Sequence, residues 1–91
     1  MLNLIWETDS RSQFKAILNF IGGRDLNAAI RIRLLILERV ERLRSFPEIG
    51  RPGRVAGTRE LIVHPNYVVI YQVKDNAIDI LRVLHSRQRY P

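Results

Sequence analysis

The dipeptide Asp75-Asn76 constrains this chain more than any other feature. It sits between two apolar runs, Tyr67–Val73 and Ala77–Leu84, both rich in β-branched and aromatic residues. A two-residue Asp-Asn loop between such runs predicts a β-hairpin, because these residues tolerate the backbone angles of tight turns that match strand twist. With the turn placed, the register follows. Val73 faces Ile78, Tyr71 faces Ile80, Val69 faces Arg82 and Tyr67 faces Leu84, while Ile70 lies opposite Leu81 and Val68 opposite Val83. A slip of one residue exchanges the two faces.

Both faces of this hairpin are apolar at their centres. The aliphatic face, Val68, Ile70, Leu81 and Val83, is expected to carry helices. The other presents Tyr67, Val69, Tyr71, Val73, Ile78 and Ile80 around Arg82. A small protein rarely leaves that much apolar sheet in water. Either a protein partner covers it, making Tyr67, Val69, Tyr71, Ile80 and Arg82 partner-binding residues, or the loop 47–57 folds over it. A charge amid apolar residues needs a counterpart, so Arg82 pairs with Glu60 or with a partner's carboxylate.

Upstream, residues 2–7 (LNLIWE) read as a strand. Thr8, Asp9 and Ser10 are candidate helix caps. Phe14, Ile17, Leu18 and Ile21 then fall on one helical face, and Gly22-Gly23 stops the helix. A second helix is predicted from an Asp25 cap to about Arg44, ended by Phe46-Pro47. Its main stripe is Ala29, Ile32, Ile36, Val40 and Leu43. A second stripe, Ile30, Leu34 and Leu37, either packs on the first helix or lines a partner groove. The Gly/Pro-dense segment 47–57 is a loop, and Arg59–His64 is a further strand. The whole chain, 1–91, reads as a single α+β domain of order β-α-α-β-β-β. Its N-terminal strand and helical hairpin pack on one face of a small antiparallel sheet.

Composition narrows the chemistry. There is no Cys, and His64 and His85 are the only His, too few for a zinc site; no metal and no cofactor are expected. No signal-like segment or membrane-length apolar run is visible, so the chain reads as soluble and cytoplasmic, with no membrane partner. Fifteen basic residues against nine acidic give +6, and all but Lys15 and Lys74 of the basic residues are Arg. Arg suits phosphate and carboxylate, so Arg51, Arg54, Arg59, Arg87 and Arg89 are candidates for binding an anionic target. A GC-rich genome would produce the same excess.

The pieces Phe46–Arg51, Arg59–Leu61, Tyr67–Tyr71 and Ile80–His85, in this order behind a Trp6 strand and two helices, resemble the RelE/ParE toxin superfamily. The ending LRVLHSRQ is closer to the ParE branch. The resemblance implies the toxin of a type II toxin–antitoxin module. Its partner would be an acidic antitoxin, partly disordered when free, bound directly in a hetero-oligomer. ParE-like toxins poison DNA gyrase; RelE-like toxins cut mRNA on the ribosome; a third possibility is a member that only binds its partner. Fold alone does not choose among them.

The nuclease needs an acid–base pair and charge stabilisation at the phosphate. By resemblance, His64 and His85 would be acid or base, Arg82 and Arg87 would hold phosphate, and Tyr90 would stack on a base. Against this set, Val68 follows Tyr67 where RelE-like sequences often carry Arg, and the lysine-rich cluster is missing. Each His also has a local role open to it, as an ordinary hydrogen-bonding residue in a turn. The gyrase reading needs no active site.

Overall fold

The computed structural model describes residues 2–91. β1 (Asn3–Trp6) leads into α1 (Thr8–Gly22) and α2 (Leu26–Glu41), which closes with a 3-10 turn at Arg42–Arg44. A short β2 (Arg51–Pro52) precedes β3 (Arg59–His64), β4 (Tyr67–Val73) and β5 (Ala77–His85). The five strands form one sheet in the order β1-β5-β4-β3-β2. The pairings β2–β3, β3–β4 and β4–β5 are antiparallel, as a meander requires. β1 lies parallel to β5, so the sheet is mixed. The helical hairpin carries the chain across to the far edge, and β2, β3 and β4 bring it back to place β5 beside β1.

Local signals explain most boundaries. Asp25 caps α2, its carboxylate accepting from the Ala28 N–H at 3.0 Å. At α1 the cap position is Glu7, one residue before the predicted candidates, and its side chain makes no capping bond. Ser10 lies inside the helix, buried, with its hydroxyl donating to the Glu7 carbonyl at 2.8 Å. β1 stops where α1 begins, which leaves the β5 edge without a strand beyond Ile80. There Gln13 Oε1 of α1 accepts the Val83 N–H at 2.9 Å, so the backbone group stays satisfied. The loop 47–57 contains the predicted turns but also β2, an edge strand that tolerates Pro52 because its outer side needs no ladder partner.

The hairpin closes at Asp75-Asn76, with the Lys74 N–H donating to the Ala77 carbonyl at 2.8 Å. The predicted register holds through Val73–Ile78, Gln72–Asp79 and Tyr71–Ile80. Beyond that β5 carries an extra residue. Ile70 faces Arg82, Val69 faces Val83, Val68 faces Leu84 and Tyr67 faces His85. A β-bulge of this kind sets two residues of one strand against one of its neighbour.

The helices cover the face opposite to the one expected, and the bulge moves the end of β5 between faces. The helix side of the sheet carries Leu61, Val63, Val69, Tyr71, Ile78, Ile80 and Val83, packed against Ile36, Val40 and Leu43. Val69, Tyr71 and Ile80, expected on an uncovered face, have no exposed surface beneath the helical hairpin. Tyr67 is half-buried against the same core. The opposite, outer face is the aliphatic one: Val68, Ile70 and Leu84, with Leu81 beside them. It is covered by Tyr90 from the segment after β5. Among the described residues, no helix is long and apolar enough to cross a membrane.

Candidate partner groove and basic outer face

The outer surface of the helical hairpin carries apolar residues that the core does not use. The main stripe of α2 packs inward, with Ala29, Ile36, Val40 and Leu43 buried. The second stripe stays outside. Ile30 is 48% and Leu34 58% exposed, and Leu37 is half-buried. Between the helices, Leu18, Gly22, Leu26, Ala29 and Ile30 line a concavity of about 360 Å³. It adjoins a second one, bounded by Phe14, Leu18 and Leu37, at the Trp6 end. Gly22 faces the Ala29 methyl across the hairpin, so small residues let the helices approach at the groove.

The rim of this groove is basic. Arg11, Lys15 and Arg33 border it, all exposed. Among the described residues, the ion pairs are Arg42–Glu38, Arg44–Glu41, Arg51–Glu60 and Lys74–Asp79, so the rim cations have no carboxylate partner. Of the second stripe expected from the sequence, Ile30 and Leu37 line these concavities, and Leu34 is exposed on α2 outside them. Leu26, 68% exposed in the groove, and Phe20, 64% exposed on α1, belong to neither expected stripe. The signal for Phe20 was present, since it falls off the Phe14–Ile21 stripe; the Arg24 guanidinium lies 4.9 Å over its ring.

The candidate nuclease residues are divided between the two sides of the sheet. His64 and His85 both pack against Tyr67, with ring centroids 5.5 and 5.7 Å away. His64 Nδ1 accepts the Asn66 N–H at 3.0 Å, and His85 Nδ1 accepts the Arg87 N–H at 3.2 Å. Each imidazole therefore uses a lone pair to close its own turn, which in the neutral form leaves the proton on Nε2. Tyr90 is buried on the outer face and presents no ring for stacking. Arg82 also points to the outer face, into an open dish with Glu7, Asp9, Gln72 and Leu81. Its expected partner Glu60 is taken by Arg51, Nε to Oε1 2.7 Å. At the rim of that dish Lys74 holds the buried Asp79 carboxylate at 2.6 Å. The hydrogen bond and charge of Asp79 push the Lys74 ammonium above its ordinary pKa.

The candidate anion-binding arginines also separate by role. Arg59 Nη1 donates to the Gly50 carbonyl at 2.8 Å and to the Glu48 carbonyl at 3.3 Å, fixing the loop. Arg51 is paired. Arg54 lies over the Tyr90 ring, 5.3 Å from its centroid, and reaches the Tyr90 carbonyl at 3.5 Å. Arg87 and Arg89 are exposed on the segment that leads to Tyr90. Among the described residues, no group of His, Cys, Asp and Glu is arranged to hold a metal ion.

Residues 4–90 match the family model described as the ParE toxin of the type II toxin–antitoxin system parDE. The chain belongs to the ParE toxin family. It is 32% identical over 87 residues to a putative toxin, Y4kP, of Sinorhizobium fredii, covering 94% of this chain and 90% of that protein. It is 34% identical over 86 residues to Toxin RelE2 of Caulobacter vibrioides, covering 94% and 97%. Its fold is similar to a chain of the chromosomal ParDE TA system from P. aeruginosa, with a TM-score of 0.82 at 26% identity over 93% of this chain and 96% of that one. The superfamily resemblance read from the sequence is thus confirmed, and the names of these similar proteins include both ParE and RelE.

Proposed function

We propose that this ParE-family chain is a growth-arresting toxin that inhibits DNA gyrase and is neutralised by an antitoxin helix seated in the α1–α2 groove. The observation that carries the antitoxin site is the pairing of exposed apolar residues in the groove (Leu26, Ile30) with an unneutralised rim of Arg11, Lys15 and Arg33. An amphipathic helix in an apolar groove is a recurrent mode of recognition, and an acidic one would meet the rim charges. The antitoxin would occupy the helical hairpin, since the sheet face first considered for it is filled by the protein's own core.

The gyrase reading is supported by how the candidate nuclease groups are arranged. Nuclease catalysis needs the acid–base pair and the phosphate-holding charge to meet at one phosphate. Here the two His side chains face Tyr67, while Arg82 and Tyr90 lie across the sheet. The convergence of His64 and His85 on one tyrosine is the observation that favours the alternative, a ribosome-dependent mRNA endonuclease. Expression of His85→Ala in growing cells separates the two. Growth arrest that survives the substitution fits gyrase inhibition; arrest that disappears while the protein stays folded fits the nuclease. No arrest from the unsubstituted chain at full expression would leave only a partner-binding protein.

A further inference from the structure

We propose that the outer face of the sheet binds the phosphate backbone of duplex nucleic acid through Arg54, Arg87 and Arg89. This surface lies on the opposite side of the sheet from the groove assigned to the antitoxin, and the inference does not depend on which cellular target the toxin has.

Charge is the first ground. Arg54, Arg87 and Arg89 are exposed, and among the described residues none has a carboxylate within ion-pair distance. The nearby acid Glu60 is buried and already held by Arg51. The chain carries +6 overall, so an anionic ligand is favoured from a distance as well as on contact.

Preorganisation is the second. Basic segments outside secondary structure are usually mobile, and ordering them on binding costs free energy. Here the segment after β5 is tied down along its length. The Ser86 N–H donates to the Asn66 carbonyl at 2.7 Å. The His85 N–H donates to Gln88 Oε1 at 2.7 Å, and the Gln88 N–H donates to the His85 carbonyl at 2.9 Å. Tyr90 is buried among Val68, Ile70 and Leu84. Arg87 and Arg89 therefore stand on a segment held at Asn66 and at Tyr90, and Tyr90, the neighbour of Arg89 in the chain, lies against Arg54. Tyr90 is a positioning residue in this account.

The shape of the ligand follows from what the face lacks. Proteins that hold single strands use exposed aromatic rings as stacking platforms. The aromatic side chain on this face, Tyr90, is buried, and Tyr67 packs toward the helix side. Arginines without a stacking platform recognise backbone phosphates, and a duplex presents these at the higher density.

The test is fluorescence anisotropy of the purified chain with a short labelled DNA duplex, the same sequence as duplex RNA, and its single strand. Micromolar binding to duplex is expected, weakening with salt at a slope near -3 in log–log form, for about three neutralised phosphates. Arg87→Ala with Arg89→Ala should weaken duplex binding roughly tenfold and flatten the slope by about 2. Arg24→Ala with Arg31→Ala removes the same charge from the helical hairpin and should leave duplex binding within about twofold. Tyr90→Ala should weaken binding as the tail pair does, with the fold checked by thermal unfolding. Binding to both duplexes supports backbone recognition, and binding to DNA alone narrows the ligand to DNA. Equal losses in the two arginine pairs, or tighter binding to the single strand, would overturn the proposal. Loss of gyrase inhibition with duplex binding intact bears on the toxin reading alone.

Discussion

The Tyr71 hydroxyl and the Gly50 N–H form a buried hydrogen bond of 2.9 Å that ties the loop after α2 to the centre of the sheet. The same hydroxyl donates to the Pro47 carbonyl at 2.7 Å, so one phenol satisfies both ends of the 47–50 turn. Tyr71 has no exposed surface, and a Cβ on residue 50 would lie 2.6 Å from its oxygen. The glycine is required by close approach rather than by backbone angle. A tyrosine that reads in the sequence as an interface residue is instead the pin that holds the loop carrying Arg51 and Arg54.

Tyr71→Phe is expected to destabilise the fold by about 1–3 kcal/mol, because it strands a buried N–H and a carbonyl. Gly50→Ala should cost at least as much, since the clash is with a buried ring and with the Glu60 carbonyl 2.8 Å away. Urea denaturation of both variants checks this.

Burial raises the Tyr71 pKa above its ordinary 10.0, outweighing the Gly50 hydrogen bond and the charge of Arg59, which lower it. The neutral phenol is therefore favoured in the folded state. Its contribution is complete below the unfolded pKa of about 10 and is lost as pH rises toward the folded value. Stability should fall above about pH 10, and Tyr71→Phe should flatten that fall. Chemical denaturation across alkaline pH measures the difference.

Ile30→Glu and Leu34→Glu should leave stability within about 0.5 kcal/mol, because both side chains face solvent. Ile30→Glu, in the groove wall, should weaken antitoxin binding by about 2 kcal/mol or more, some thirtyfold in Kd, and Leu34→Glu, outside it, by less. Calorimetric titration of the antitoxin, beside thermal unfolding of each variant, tests both halves.

Removing an imidazole at His64 or His85 opens one exposed turn hydrogen bond, so His64→Ala and His85→Ala should each destabilise by about 0.5–1.5 kcal/mol. Gyrase inhibition at saturating toxin should be unchanged, and a supercoiling titration of each variant gives the answer.

Element order, the Asp25 cap and the Asp75-Asn76 turn were legible because each rests on chemistry within a few residues. The faces of the sheet were not. Strand alternation gives two apolar surfaces here, and neither the helices' choice between them nor the extra residue at Leu81 leaves a mark in composition. The bulge puts Val83 on the face of Val69 and Tyr71 and Arg82 on that of Ile70, while the packing of Ile36, Val40 and Leu43 sets which face bears the helices. Tyr90 is a similar case. A lone aromatic in a basic tail reads as a free stacking group, and only its contact with Val68, Ile70 and Leu84 shows it buried. On the helices, the Ile30–Leu34–Leu37 stripe was legible, but whether another helix covered it depended on the hairpin's packing.

The most direct test of the proposed function is a supercoiling assay with purified gyrase and the purified chain, with and without antitoxin, alongside mapping of mRNA ends in cells expressing the toxin. The account predicts inhibited supercoiling or trapped DNA cleavage that the antitoxin reverses, with mRNA left intact. Normal supercoiling together with codon-phased, translation-dependent mRNA cuts would contradict it.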